Sequence, residues 1–186
     1  MRVLLARVLG RAMLRAEPLM RSLHLMRLWS ISVRLTRRRG VPVTKTVYGP
    51  VLSTDWEDHQ FYLCVTGRSG FKLYDILQER RDSDFVFVDV GANIGLYSLL
   101  ASGNAHCVRA YALEPNPTVF RNLLGNIDHN RATGVEAIKL GIADENGAKT
   151  FFFKDWHRGL GNFLERGDHR LDVHVRDFSL LDEICD

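Results

Sequence analysis

Asp89, Gly91, Asn93, Gly95 and Glu114 are the residues whose types and spacing could do chemistry. Asp89 and Val90 close an apolar run, Phe85-Val86-Phe87-Val88. A loop follows, with Gly91 and Gly95 on either side of Asn93, and a helical pattern starts at once. A strand that passes through such a loop into a helix delivers a small ligand to the helix N-terminus. The glycines let the ligand approach the backbone, and the first free amides of the helix point at it. Glu114 lies 25 residues after Asp89, at the end of the next strand pattern, Val108–Leu113. A carboxylate there can accept hydrogen bonds from both hydroxyls of a ribose. Each bond to a charged acceptor is worth about 1.5–3 kcal/mol.

The glycine spacing excludes one ligand class. A nicotinamide-binding loop wants G-x-G-x-x-G. Counted from Gly91, its second and third glycines fall on Asn93 and Leu96. The loop instead reads acid-x-G-x-N-x-G, which resembles motif I of S-adenosylmethionine (SAM)-dependent methyltransferases of the Rossmann-like class.

Longer strings narrow the resemblance. Phe87-Val88-Asp89-Val90-Gly91-Ala92-Asn93-Ile94-Gly95 is followed by Glu114-Pro115-Asn116-Pro117 and then by Phe120-Arg121-Asn122-Leu123-Leu124-Gly125-Asn126-Ile127. Together with Gly141–Gly147 and the Ser179–Ile184 helix, they resemble the FkbM-type methyltransferase family over about residues 85–184. The resemblance implies an α/β fold with a Rossmann-like class I sheet. It also implies SAM as cofactor and methyl transfer to a hydroxyl on a sugar or natural product. Asp89 would orient the glycine loop and accept from the amino group of the cofactor's methionine part. Gly91 would allow close approach and Gly95 helix–strand packing. Asn93 would tolerate positive φ and touch the cofactor. Glu114 would take the ribose. Asp144 would either contact the adenine amino group or serve as a turn aspartate before Glu145-Asn146-Gly147.

The family continues beyond the Ser179–Ile184 helix into a further strand and the rest of its sheet, whereas this sequence stops at Asp186. The expected sheet is therefore incomplete in its C-terminal half, and the Phe85–Val88 strand becomes an edge that invites pairing or self-association. Three readings stay open: a fragment, a naturally short or frameshifted product, or a gap filled by an N-terminal segment or a partner strand. A second functional class follows, a non-catalytic SAM-binding remnant that contacts a membrane or partner through its basic start.

The elements that position these residues divide the chain into a basic extension (1–40), a lead-in (41–84) and the SAM-binding half-domain (85–186). In the lead-in, Thr44–Val51 has strand-like content broken by Gly49-Pro50. Phe61–Val65 reads as a strand, and Ser69 as the cap of a helix through Arg80. Helices are predicted over Ile94–Ser102 and Pro117–Ile127, the second with Asn116 as N-cap and Pro117 at N1. A third strand is predicted over Val135–Leu140. Lys149–Phe153 and Leu171–Val175 read as a β-pair around a solvated loop rich in Gly and His.

Charge is uneven. Residues 1–54 hold ten arginines and Lys45 against Glu17, a net +10, while the remainder holds 14 bases against 21 acids, a net −7. Leu5, Val8, Leu9, Ala12, Met13, Ala16 and Met20 share one side of a helical wheel, with Arg7, Arg11 and Arg15 opposite. Residues 1–20 thus read as a basic amphipathic helix suited to peripheral membrane contact, or packed on its own domain. No apolar run is long enough to span a membrane. No recognition motif accompanies the basic tail, so nucleic acid is not an expected partner. Cys64, Cys107 and Cys185 are odd in number and far apart, which fits a reducing, cytoplasmic compartment. His157, His169 and His174 match no zinc spacing, so no metal is expected. Methyl transfer needs oxygen, methyl and sulfur in line, and a base only for the hydroxyl proton. His59, His129 and His157 are candidates for that base, and none is assigned.

Overall fold

The computed structural model describes residues 41–154, 157–164 and 167–185, with 157–160 described by backbone alone. The basic extension, its expected amphipathic helix and Trp156 lie outside the described residues. Among the described residues no helix is long and apolar enough to cross a membrane.

The centre is a three-stranded parallel sheet in sequence order: β3 (Phe85–Val90), β4 (Cys107–Leu113) and β5 (Val135–Ile138). Helix α3 (Leu96–Ser102) joins β3 to β4, and α4 (Pro117–Asn130) joins β4 to β5. This βαβαβ order is a Rossmann-like half-sheet. Parallel neighbours need such crossovers, because a tight turn cannot reverse the chain twice. Ala110 and Ala112 of β4, both 0% exposed, let α4 come close, and they pack with Leu123 and Val135.

The lead-in forms a further layer over α3. Strands β1 (Val43–Lys45) and β2 (Val51–Ser53) make an antiparallel hairpin. Helices α1 (His59–Thr66) and α2 (Phe71–Glu79) follow. Tyr48, Leu52, Phe61, Leu77, Leu96 and Leu99 share one buried cluster, against which Phe85 and Phe87 pack. The segment Phe61–Val65 is thus helix, not strand. Asp58 caps it by accepting from Phe61 N at 2.9 Å, and Gly67 ends it at φ 74°. Its buried residues Phe61, Cys64 and Val65 follow helical spacing. Ser69 does not cap α2; Gly70 holds that position, and the Ser69 hydroxyl meets that of Tyr97 at 3.2 Å.

A second sheet follows, ordered β6 (Gly141–Ile142), β9 (His169–Arg176), β7 (Gly147–Lys154) and β8 (His157–Asn162). The expected pair is present as β7 and β9, with Phe151 opposite Leu171. The loop expected to be solvated contains β8, paired antiparallel to β7. The third strand of the central sheet ends at Ile138 rather than Leu140. Helix α4 runs on to Asn130, three residues past its expected end. Helix α5 (Ser179–Cys185) closes the described chain.

The apolar run of β3 is not buried on both faces. Among the described residues β3 pairs with β4 only, and Val86 and Val90 are 38% and 52% exposed. The edge expected from the sequence is there.

Asparagines of α4 tie the layers together. Asn126, 1% exposed, accepts from Ser53 N at 2.7 Å and donates to Ile94 O at 2.8 Å. One turn on, Asn130 accepts from Val51 N at 2.8 Å and donates to Val51 O at 2.6 Å. The two side chains take the place of a strand beside β2. Asn126→Ala leaves a buried donor and a buried acceptor unpaired, and thermal or denaturant unfolding should show a loss of about 2–4 kcal/mol. Gly95→Ala places a Cβ 2.5 Å from Leu123 Cδ1 at φ +86°, and should cost about 2–4 kcal/mol in the same assay. Gly91→Ala meets no atom within 4 Å and should cost only its left-handed strain, about 1–2 kcal/mol.

Candidate functional site

Register brings the two carboxylates together. Asp89 stands opposite Ala112 and Val90 opposite Leu113, so Glu114 follows on β4 beside the start of the glycine loop. Gly91 N and Ala92 N both donate to Leu113 O, at 2.9 and 2.8 Å. The carboxyl ends of the two strands thus lie side by side, at the edge where open parallel sheets bind ligands.

The loop alternates left-handed residues: Gly91 at φ 75°, Asn93 at 54° and Gly95 at 86°. Asn93 therefore stands where a β-branched residue would be strained. Gly91 has open space where a Cβ would stand, whereas Gly95 is closed by Leu123. The first glycine leaves room for a ligand. The second serves packing.

Glu114 holds the site in shape. Its Oε2 accepts from Asn93 N at 2.9 Å, and its Oε1 from Asn116 N at 2.8 Å. One carboxylate thus joins the loop after β3 to the loop after β4. The glycine loop is oriented by Glu114, not by Asp89 as the sequence suggested. Asp89 instead accepts at Oδ2 from Ser98 N at 3.1 Å and from Ser98 Oγ at 2.7 Å, which fixes α3 to β3.

Both acids are buried, Asp89 at 7% and Glu114 at 5% exposed. Burial pushes the Glu114 carboxyl up to about 7; hydrogen bonds from Asn116 and Asn93 pull it down, and the nearby Asp89 charge raises it. Burial also raises Asp89, against two hydrogen bonds from Ser98. Neither carboxylate is ion-paired among the described residues. A buried anion without a cation is costly, and two side by side are costlier.

Asp144 stands apart in character. It lies on the turn between β6 and β7, exposed and paired with the Lys149 ammonium, whose hydrogen bond holds its carboxyl below the usual range. Of the candidate bases, His59 is exposed on the first turn of α1, stacked on Tyr62. His129 is exposed near the end of α4, about 18 Å along the helix axis from its start. The His157 side chain lies outside the described residues. The sequence reading missed Ser98 and Asn126. Asn126 carried a signal: asparagines four apart among the apolar positions of α4 mark a buried polar row. Ser98 carried none, since a serine inside a short apolar helix is ordinary. The Asn126 network also borders a cavity of about 160 Å³ lined by Ser53, Thr54, Asp55, Asp58, Ile94 and Asn122, among others.

No protein-family model matches the chain. AMB antimetabolite synthetase AmbE of Pseudomonas aeruginosa is 34% identical over 85 residues, which are 46% of this chain and 4% of that protein. The 31-O-demethyl-FK506 methyltransferase FkbM of Streptomyces tacrolimicus is 37% identical over 75 residues, 40% of this chain and 28% of that protein. The chain thus spans less than a third of either relative. Among solved structures, M. jannaschii TYW2 in complex with AdoMet aligns with a TM-score of 0.42 and 23% identity, over 52% of this chain and 41% of that one. Precorrin-6y C5,15-methyltransferase from Geobacter metallireducens aligns at 0.32 and 26%, over 37% of each. In its motif strings and in its similarity to FkbM, the chain resembles the FkbM-type methyltransferases.

Proposed function

We propose that the chain binds S-adenosyl-L-methionine between the Gly91–Gly95 loop and the Glu114 turn, as the cofactor-binding part of a methyltransferase. The observation that carries this reading is the pair of buried carboxylates, Asp89 and Glu114, that no cation neutralises among the described residues. A ligand carrying a sulfonium and an ammonium supplies the missing charge.

The residues present fit such a ligand. Gly91 keeps open the space that a side chain would fill. A carboxylate offers about four lone-pair sites, and the two backbone amides use only part of those on Glu114. The remainder accept ribose hydroxyls. Asp89 is engaged at Oδ2, which leaves Oδ1 for the ammonium of the methionine part. When bound, SAM supplies a methyl group on a sulfonium carbon open to in-line displacement. The chain's own residues bind and orient that ligand through Asp89, Gly91, Asn93 and Glu114, with Gly95 holding the loop against α4. Asp144 is assigned to the turn rather than to adenine, because Lys149 already engages it.

The acceptor we favour is a hydroxyl on a small molecule, a natural product or a sugar. The name of the Streptomyces tacrolimicus relative, a methyltransferase for an O-demethyl compound, supports it. Residues 1–20 are assigned peripheral membrane contact by their arginine-rich amphipathic pattern, and the open side of β3 gives self-association a place.

Calorimetric titration should show SAM binding to the wild-type chain. Glu114→Gln should weaken it by about 10- to 100-fold, the loss of one or two charge-assisted bonds. A folded wild-type chain that gives no heat and no thermal shift with SAM overturns the reading.

The pH dependence has a fixed sign. Burial pushes folded Glu114 up to about 7 from an ordinary 4.5, so between these pH values the folded chain holds more protons than the unfolded one. Without ligand, stability from this group is full below the lower value and is lost as pH rises through the upper one. SAM binding needs the ionised form, so affinity should fall as pH drops from about 8 to about 6. Opposite slopes for unliganded melting and for affinity, both flattened in Glu114→Gln, are the expected result.

A further inference from the structure

Asn116 is 1% exposed and caps α4 through Oδ1, which accepts from Thr118 N at 3.0 Å and Val119 N at 3.4 Å. Those two donors fix the orientation of the amide, so the nitrogen is the group left over. Nδ2 is buried and has no hydrogen-bond partner among the described residues. Native structures rarely leave a buried donor unmade. The buried asparagine of the same helix, Asn126, uses both ends of its amide. The backbone N–H of Asn116 donates to Glu114 Oε1 at 2.8 Å, so the spare donor and the spare acceptor sites belong to neighbouring groups.

A hydroxyl has one proton to give and two lone pairs to offer. One that donates to Glu114 can still accept from an amide. We propose that Asn116 Nδ2 donates to the oxygen of the ribose hydroxyl whose proton Glu114 accepts, making Asn116 a specificity-determining residue for ribose over deoxyribose. This rests on the SAM reading above. Glu114 and Asn116 are both buried, 5% and 1% exposed, with only Pro115 between them in sequence.

Asn116→Ser keeps a hydroxyl cap for α4 and removes Nδ2, whereas Asn116→Ala removes both. Unliganded melting should leave Asn116→Ser close to wild type and lower Asn116→Ala. In calorimetry Asn116→Ser should bind SAM about five- to twentyfold more weakly. In competition with adenosine, 2′-deoxyadenosine and 3′-deoxyadenosine, its preference for adenosine over one of the deoxynucleosides should shrink. Asn116→Thr, which also keeps a hydroxyl cap and lacks the amide donor, carries the same test if the serine variant does not fold. A serine variant that binds SAM and ranks the nucleosides as wild type does overturns the inference, with a buried water as the partner of Nδ2 and the SAM reading intact. A wild-type chain that binds no SAM removes both.

Discussion

The Glu114 carboxylate is the constraint on which the site depends. It is nearly enclosed, yet it accepts backbone amides from two loops that follow two different strands. Each bond is charge-assisted and short, which favours the ionised form. Burial works the other way and dominates, since the group is pushed up to about 7. The two loops are therefore held together by a group whose charge is poorly tolerated there. A cationic ligand resolves that conflict, because it supplies Coulombic attraction where water has been excluded.

The glycine loop is fixed at three further points. The Leu113 carbonyl takes the amides of Gly91 and Ala92, and Asn126 takes the carbonyl of Ile94. Asn126 also holds Ser53, so the β1–β2 hairpin and the loop share one anchor. Left-handed backbone at Asn93 costs energy that the Glu114 bond offsets. The result is a loop whose backbone geometry is set by hydrogen bonds within the chain, and a loop fixed in that way costs less to order around a ligand.

Much of this was legible in the sequence, for identifiable reasons. The strand–loop–helix passage around Asp89 and the Glu114-Pro115-Asn116-Pro117 turn depend on local signals: glycines at left-handed positions, an N-cap and a proline at N1. The Phe61–Val65 segment misled because a five-residue apolar run satisfies either period. Its caps, Asp58 and Gly67, were the deciding signals. The β8 strand was hidden for the opposite reason. Its backbone pairs with β7, but Gly159 and Gly161 give it none of the alternation that marks a strand. The role of Glu114 as a strap between loops could not be read at all. It depends on the register of β3 against β4, and register is a tertiary fact.

That register also locates the recognition of the cofactor. On the SAM reading the ribose lies at Glu114 on β4, and the sulfonium lies toward Asp89 on β3. The groups that grip the adenosine thus come from β3, β4 and the loops after them, all within the described residues. On its other side β3 has no described strand. Val86 and Val90 share one face of that strand and present apolar surface whose burial is worth about 25 cal/mol per Å². On that reading cofactor recognition is a property of the β3–β4 pair and the loops that follow it.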